Sequence, residues 1–400
     1  MRIKRMLIVF LSSLLLILSG CAMTTVDQMF QLPKRSEEYN NLQSAIDDAM
    51  SGLSYCAPTA GENQQTVQMA DLDGDGENEY LLFAKGTQDN PLKILLFRET
   101  EGEFVNIDTI SANGTAFDMV EYVDMDERPG VELLVGHKLS EQMLHTVTAY
   151  TFDNGSFVQL TTANYTKFLS TDLNSDHLAE LFILRPGTTE ADNGVAELYA
   201  MRNGAMERCN EVTMSQPVDK LKRIISGKLD GGKTAVYVAS TIGDTALITD
   251  IYTLLDEKLT NVSLSSESGT SIQTMRNFYV FADDIDSDGV VELPSLISMV
   301  PLPETPSGDT HHLIRWFAMT PAGDGIDKLF TYHNFVGGWY FLLDSSWAQR
   351  LVVRQKSNQT EFLVWDEKFQ TTEKILTIYA FTGQNREEQG LTEGRIILQY

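Results

Sequence analysis

Residues 71–83 read Asp-Leu-Asp-Gly-Asp-Gly-Glu-Asn-Glu-Tyr-Leu-Leu-Phe, an acidic turn that leads directly into an apolar strand. The block returns, with changes, at residues 124–135, 172–184 and 284–293, and a decayed copy lies at residues 228–238. Successive copies begin about 50 residues apart, which leaves room for about three more strands in each interval. One repeat therefore corresponds to one small sheet of four strands.

Short apolar segments separated by turn residues fill the chain from Gln65 onward. Pairs such as Glu101-Gly102 and Asn113-Gly114 mark the turns between them. A four-stranded unit repeated at this period is typical of a β-propeller, in which each blade buries its faces against its neighbours. We predict an all-β protein, a β-propeller of about six four-stranded blades, or about seven. The strand-like segments at 339–343, 350–353, 362–365 and 375–381 are assigned to one further blade.

One amphipathic helix is expected before the repeats. Ser36 can cap its first turn, and Glu37 and Glu38 place negative charge at its positive end. Apolar residues then recur at helical spacing until Leu53. The expected organisation is a signal peptide over 1–20, a lipidated tether over 21–35, a helix and linker over 36–64, and the propeller over 65–400.

The amino-terminal residues have the pattern of an export signal. Three basic residues precede the apolar run Met6–Leu18, which is short for a membrane-spanning helix of roughly 20 residues. The run ends in Leu-Ser-Gly-Cys, which resembles the lipobox of bacterial lipoproteins, with Cys21 as the lipidated residue. Two acyl chains, at about 0.8 kcal/mol per buried CH₂, anchor a protein stably. We therefore predict an extracytoplasmic protein that is lipid-anchored to a bacterial membrane.

The charge of the chain restricts its partners. The formal net charge is −26, and it becomes −29 when residues 1–20 are removed, because they carry three basic residues and no acid. A nucleic acid is excluded as a partner, since binding its phosphates requires a basic surface. An envelope protein or a glycan remains as the expected ligand, and divalent cations suit the acidic turns.

The acidic turns have the arrangement that calcium favours. Carboxylates stand at loop positions one, three and five, a glycine stands at position six, and position seven offers its backbone carbonyl. A glutamate stands at position nine. In the first copy the candidate ligands are Asp71, Asp73, Asp75, the carbonyl of Glu77, and Glu79. In the last copy they are Asp284, Asp286, Asp288, the carbonyl of Val290, and Glu292.

The middle copies depart from this pattern. The third offers Asp172, Asn174, Asp176 and Glu180, with His177 in place of the glycine. In the second copy Arg128 occupies position five, where its guanidinium can replace a cation. An EF-hand would need an acid at position twelve, where the four copies have apolar residues or serine. The alternative for every copy is an acidic turn whose side chains bond the backbone without metal.

The repeated turn and strand resemble the calcium loops of FG-GAP and VCBS repeat proteins, which include integrin-type propellers. The resemblance covers most of the chain from Gln65, although the Phe-Gly and Gly-Ala-Pro signatures of the stricter family are missing. It implies that each loop joins the first and second strands of a blade and that the calcium is structural. The family's calcium ligands match well in the first and last copies of the turn, less well in the third, and poorly in the second.

No catalytic motif is found in the sequence. The zinc-protease, serine-hydrolase, P-loop and dinucleotide-binding patterns are absent. His311 and His312 are adjacent in a strand-like segment, so they point to opposite faces and cannot share a metal. We therefore expect a non-enzymatic binding or scaffold protein. Two alternatives stay open: a polysaccharide-acting hydrolase or lyase that uses carboxylates, and a transporter-associated solute-binding lipoprotein, whose fold needs alternating helices and parallel strands.

Overall fold

The computed structural model describes residues 37–400 except 141–144, 188–191, 300–311, 335–336, 349, 367, 369–370, 392–395 and 397–400. The all-β prediction is confirmed, because the described residues form six antiparallel sheets. The predicted signal peptide, the tether with Cys21, and most of the strand expected at 395–400 lie outside the described residues. Within the described part, no helix is both long enough and apolar enough to cross a membrane.

The first sheet follows helix α1 (Glu37–Ala49). Its five strands are β1 (Ser54–Tyr55), β2 (Val67–Ala70), β3 (Glu79–Lys85), β4 (Leu92–Thr100) and β5 (Glu103–Ala112). Both β1 and β2 pair with β3, so two short strands share the position of one long first strand. Helix α1 packs its apolar side, centred on Ile46, against Leu82, Leu95 and Phe97 of this sheet.

The next three sheets have four strands each, paired in chain order. The second contains β6 (Ala116–Val123), β7 (Glu132–Lys138), β8 (His145–Asp153) and β9 (Ser156–Tyr165). The third contains β10 (Lys167–Thr171), β11 (Glu180–Arg185), β12 (Val195–Arg202) and β13 (Ala205–Thr213). The fourth contains β14 (Leu221–Lys228), β15 (Thr234–Ile242), β16 (Ala246–Leu255) and β17 (Lys258–Asn261).

The fifth sheet contains β18 (Glu292–Ser298), β19 (His312–Met319), β20 (Gly325–Asn334) and β21 (Trp339–Leu343). The sixth contains β22 (Leu351–Lys356), β23 (Gln359–Asp366) and β24 (Thr371–Tyr379), and a short helix α2 (Arg386–Gly390) follows.

Two details of the predicted strand assignment are wrong. The segment 339–343 was assigned to the last sheet, but β21 pairs with β20, where Asn334 lies opposite Trp339. The connection between them is so short that the chain must fold back onto the strand it has just left. The uniform count of four strands also fails, since the first sheet has five strands and the sixth has three among the described residues.

Five separate apolar layers among the described residues each join two sheets that are consecutive in the chain. Phe83 of the first sheet meets Phe117 of the second edge to face, with ring centroids 5.1 Å apart. Corresponding layers join the second sheet to the third, the third to the fourth, the fourth to the fifth, and the fifth to the sixth. Burial on both faces explains why inner strands such as β3 are continuously apolar. The arrangement is propeller-like.

The acidic turns occupy the same corner of successive sheets. Residues 71–78 join β2 to β3, residues 124–131 join β6 to β7, and residues 172–179 join β10 to β11. The decayed copy joins β14 to β15. In the fifth sheet the segment before the turn forms only isolated bridges, of which one pairs Asp283 with Glu292. The turn therefore lies between the first and second strands wherever a first strand is formed.

The linker after β1 crosses to the second sheet. The backbone N–H groups of Thr59 and Ala60 donate to the carbonyl of Asp118 at 2.9 and 2.8 Å. The Asn63 side-chain amide donates to the carbonyl of Val120 at 3.1 Å. These bonds cover the open edge of β6 and connect the first two sheets.

Candidate functional site

The first acidic turn brings three carboxylates together. Oxygens of Asp71, Asp73 and Glu79 all lie within 4.8 Å of one another. Asp71 also accepts from the backbone N–H groups of residues 74 and 76, at 2.8 and 3.0 Å, which closes the turn. However, Arg98 of β4 reaches into the group: its Nε donates to Glu79 at 2.8 Å, and its Nη2 forms an ion pair with Asp73. A guanidinium therefore already neutralises this cluster.

The second turn is neutralised from within. Arg128 pairs through Nη2 with Asp126 at 2.6 Å and lies 3.9 Å from Glu132. Thr151 of β8 donates its hydroxyl to Oε1 of Glu132 at 3.1 Å, while Oε2 accepts from the N–H of Met125 at 2.9 Å. Both oxygens of the buried glutamate therefore have donors.

In the third turn an amide connects the acids. The Asn174 Nδ2 donates to Asp176 Oδ2 at 2.8 Å and to Glu180 Oε1 at 2.6 Å. Glu180 is buried, and its other oxygen accepts from the N–H of Leu173 at 2.8 Å. Burial, together with the neighbouring Asp176 and Asp172, raises the pKa of Glu180 to about 7. This turn holds a carboxyl pair with one member near its neutral form.

The fifth turn has an acidic cluster without an internal cation. Oxygens of Asp284, Asp286 and Glu292 lie within 4.8 Å of one another. Glu292 is fully buried; its Oε2 accepts from the N–H of Ile285 at 3.1 Å, and its Oε1 is buried with no hydrogen-bond partner among the described residues. Burial, and then the nearby Asp286, Asp288 and Asp284, raise the pKa of Glu292 to about 7. A bound cation would supply the missing partner.

The predicted ligands thus divide into two kinds. The structure brings together positions one, three and nine of the first and last turns. The position-five acids stabilise the turns instead, because Asp75 accepts from the N–H of Glu77, and Asp288 from the N–H of Val290, each at 2.8 Å. Arg98 and Thr151 were not predicted from the sequence, because they lie on a different strand from the motif. They are identified only by the pairing of β4 with β3 and of β8 with β7.

A cleft of about 590 Å³ opens beside the third turn, between the third and fourth sheets. Its walls combine acids, two basic residues, amides and apolar side chains. The lining residues are Asn174, Asp176, Glu180, Leu198, Ala200, Met201, Arg202, Cys209, Asn210, Lys233, Leu254, Asp256 and Glu257. Cys209 is a free thiol, as is Cys56. The cleft is large enough for a small ligand, since ligand sites occupy about 300–1,000 Å³.

A second charged cluster lies on the second sheet, at the strand ends away from its acidic turn. Asp118 accepts from the Tyr165 hydroxyl at 2.7 Å and lies 3.2 Å from His145 Nδ1 and 3.4 Å from Lys138 Nζ. The Thr59 hydroxyl donates to its other oxygen at 3.4 Å. Because both oxygens of Asp118 are engaged, the cluster holds the linker to the second sheet.

No family model matches the sequence, and no curated protein matches it. Solved structures are similar in fold at low identity. The exotype rhamnogalacturonan lyase YesX is 15% identical, with a TM-score of 0.32, over 82% of this chain and 66% of the lyase. The periplasmic gluconolactonase of Pseudomonas aeruginosa is 13% identical, with a TM-score of 0.30, over 80% and 86%. Sqt1 of Saccharomyces cerevisiae is 10% identical, with a TM-score of 0.33, over 79% and 75%.

The expectation of a non-enzymatic protein is corrected by this comparison. It depended on the lack of a catalytic motif in the sequence. A lyase and a lactonase are among the structures to which the chain is similar, although they share few residues with it. The lack of a known motif does not by itself exclude an enzyme, because carboxyl groups in a cleft need no such motif.

Proposed function

We propose that this chain is an extracytoplasmic enzyme that acts on a polysaccharide through the carboxyl pair in the cleft between the third and fourth sheets. The observation that carries the proposal is the pair Glu180 and Asp176, whose oxygens accept from the same amide nitrogen of Asn174 at 2.6 and 2.8 Å. We further propose that the six sheets are blades of a closed β-propeller of the FG-GAP or VCBS kind, with calcium in the turn 284–292.

The spacing of the pair suits glycoside chemistry. Because both oxygens accept from one nitrogen, at 2.6 and 2.8 Å, they lie at most about 5.4 Å apart, which excludes the separation of about 6.5–9.5 Å of inverting glycosidases and leaves the close arrangement of retaining ones. Burial and the neighbouring acids raise the pKa of Glu180 to about 7, near the value that suits a general acid, and we assign it that role. Asp176 is exposed at the cleft and is assigned the role of the nucleophile.

The cleft also has the surfaces that a sugar needs. Leu198, Met201 and Leu254 offer apolar area for a ring face, and Asn210 and Arg202 offer donors for hydroxyl groups. A solute-binding lipoprotein, by contrast, would need helices alternating with parallel strands. The sheets of the described residues are antiparallel throughout.

The test is Glu180→Gln, assayed by release of new reducing ends or unsaturated products from a broad panel of polysaccharides. We expect the activity to fall about 100-fold, because a general acid contributes 10²–10⁴-fold. The wild-type rate should decline as the pH rises through about 7, since Glu180 must be protonated to act. Glu132→Gln is the matched control, because Glu132 is the equivalent buried residue of the second sheet and does not line the cleft. Full activity of Glu180→Gln, or an inert wild type, would contradict the proposal.

The proposed localisation depends on Cys21. We expect the wild-type protein to sediment with membranes of the producing bacterium and Cys21→Ala to be released, because the thiol is the site of acylation. Fractionation followed by immunoblotting measures this. A Cys21→Ala variant that still sediments with membranes would show that the anchor lies elsewhere.

A further inference from the structure

The four intact acidic turns face equivalent positions on one neighbouring strand, the strand that comes next in the chain after the strand carrying the turn glutamate. In each sheet the residue after the turn glutamate pairs with an aromatic residue: Tyr80 with Phe97, Leu133 with Tyr150, Leu181 with Tyr199, and Leu293 with Phe317. The next residue along that neighbouring strand therefore faces the glutamate. These facing residues are Arg98, Thr151, Ala200 and Ala318.

In the first two sheets the facing residue donates to the glutamate. Arg98 donates to Glu79 at 2.8 Å and reaches Asp73 as well. Thr151 donates to Glu132 at 3.1 Å, with Arg128 beside it. Each buried glutamate therefore has both oxygens bonded.

In the third and fifth sheets the facing alanine donates nothing, so the donor must come from the turn itself. Asn174 at position three supplies it to Glu180. The fifth turn has Asp286 at position three, which accepts and does not donate, and Oε1 of Glu292 is left buried without a partner among the described residues. The nearby basic residue Lys328 is bonded to Asp230 at 2.5 Å. An unpartnered carboxylate oxygen in a fully buried side chain thus points to a missing cation.

We infer that the chain binds one divalent cation, in the turn 284–292, and that the side chain facing the turn glutamate decides this occupancy. In the first turn the guanidinium of Arg98 takes the place of the metal, although this turn has the most regular calcium pattern in the sequence. A charged side chain fixed by its strand competes with a free ion because both neutralise the same carboxylates. The inference rests on the proposed binding of calcium.

The experiment is calcium titration by calorimetry on the full mature chain, with circular dichroism to confirm folding. We expect one calcium per wild-type chain, none for Ala318→Arg, two for Arg98→Ala, and one again for the double variant, in which the site has moved to the first turn. Asp286→Ala, which removes one carboxylate from the cluster, should also weaken calcium binding, and it introduces no bulk if Ala318→Arg fails to fold.

The outcomes separate the two ideas. No calcium bound by the wild type would overturn the proposed calcium site and this inference together. If the wild type bound one calcium and Arg98→Ala also bound only one, calcium binding would stand and the role of Arg98 would be overturned. If the wild type bound two calcium ions, the guanidinium of Arg98 would not exclude the metal, and the inference would also be overturned.

Discussion

Replacing Gly130 by alanine should lower the free energy of unfolding by about 3–5 kcal/mol, which combines backbone strain with overpacking. Gly130 has a φ of +102°, and an added Cβ would lie 2.2 Å from the carbonyl oxygen of Leu72 and 3.0 Å from the Cα of Asp73. These atoms belong to the backbone of the neighbouring acidic turn, so no side chain can rotate away. The variant would have to separate two turns that are now in close contact.

Gly76→Ala is the matched control for this variant. Gly76 also has a positive φ, +89°, but nothing lies within 4 Å of an added Cβ. We expect a loss of about 1 kcal/mol from backbone strain alone. Urea denaturation of both variants in the presence of a chelator measures the difference without any contribution from metal. Equal losses would show that the contact between the turns is not the reason for the glycine at 130.

Phe117→Ala should cost about 3–5 kcal/mol of folding free energy, the usual range for removing a buried phenylalanine. The Phe117 ring is fully buried and meets Phe83 of the first sheet edge to face, at an angle of 90°. It belongs to the apolar layer between the first two sheets, so the cavity would open at their junction. Chemical denaturation gives the stability, and hydrogen exchange at β3 and β6 locates the loosening.

Tyr55→Ala provides the comparison, because the Tyr55 side chain is 52% exposed. A surface substitution of this kind changes stability by about 0.5 kcal/mol or less. If Phe117→Ala cost no more than Tyr55→Ala, the layer between the first two sheets would not stabilise the protein as described.

The repeat and the sheets could be predicted from sequence because both are local. An alternation of Asp and Gly that ends at Gly76, with apolar residues from Tyr80 onward, predicts a turn and the strand after it, and the period between copies predicts the unit. The corner that the turns occupy was expected from the resemblance to FG-GAP and VCBS repeats. These features require no knowledge of which distant segments meet.

The chemistry of the turns could not be predicted in the same way. Arg98 is 19 residues from Glu79 in sequence and reaches it only because β4 pairs with β3 in one register. The cleft combines residues of the third turn with Asp256 and Glu257, at the end of a strand in another sheet. The segment 339–343 was misassigned because an apolar pattern predicts a strand but does not show which strand it pairs with. The short connection to β20 makes β20 its partner.

The linker that crosses from the first sheet to the second also affects how the protein would respond to mechanical force. A force applied at the amino end of the described chain would first act on helix α1. This helix is attached to the first sheet by apolar side chains and by the hydrogen bond from Asn41 to the carbonyl of Gly102. Next come the backbone bonds of β1 with β3 and of Thr59 and Ala60 with Asp118. A force applied at the amino end would therefore act on these contacts, in this order along the chain, before it reached β2.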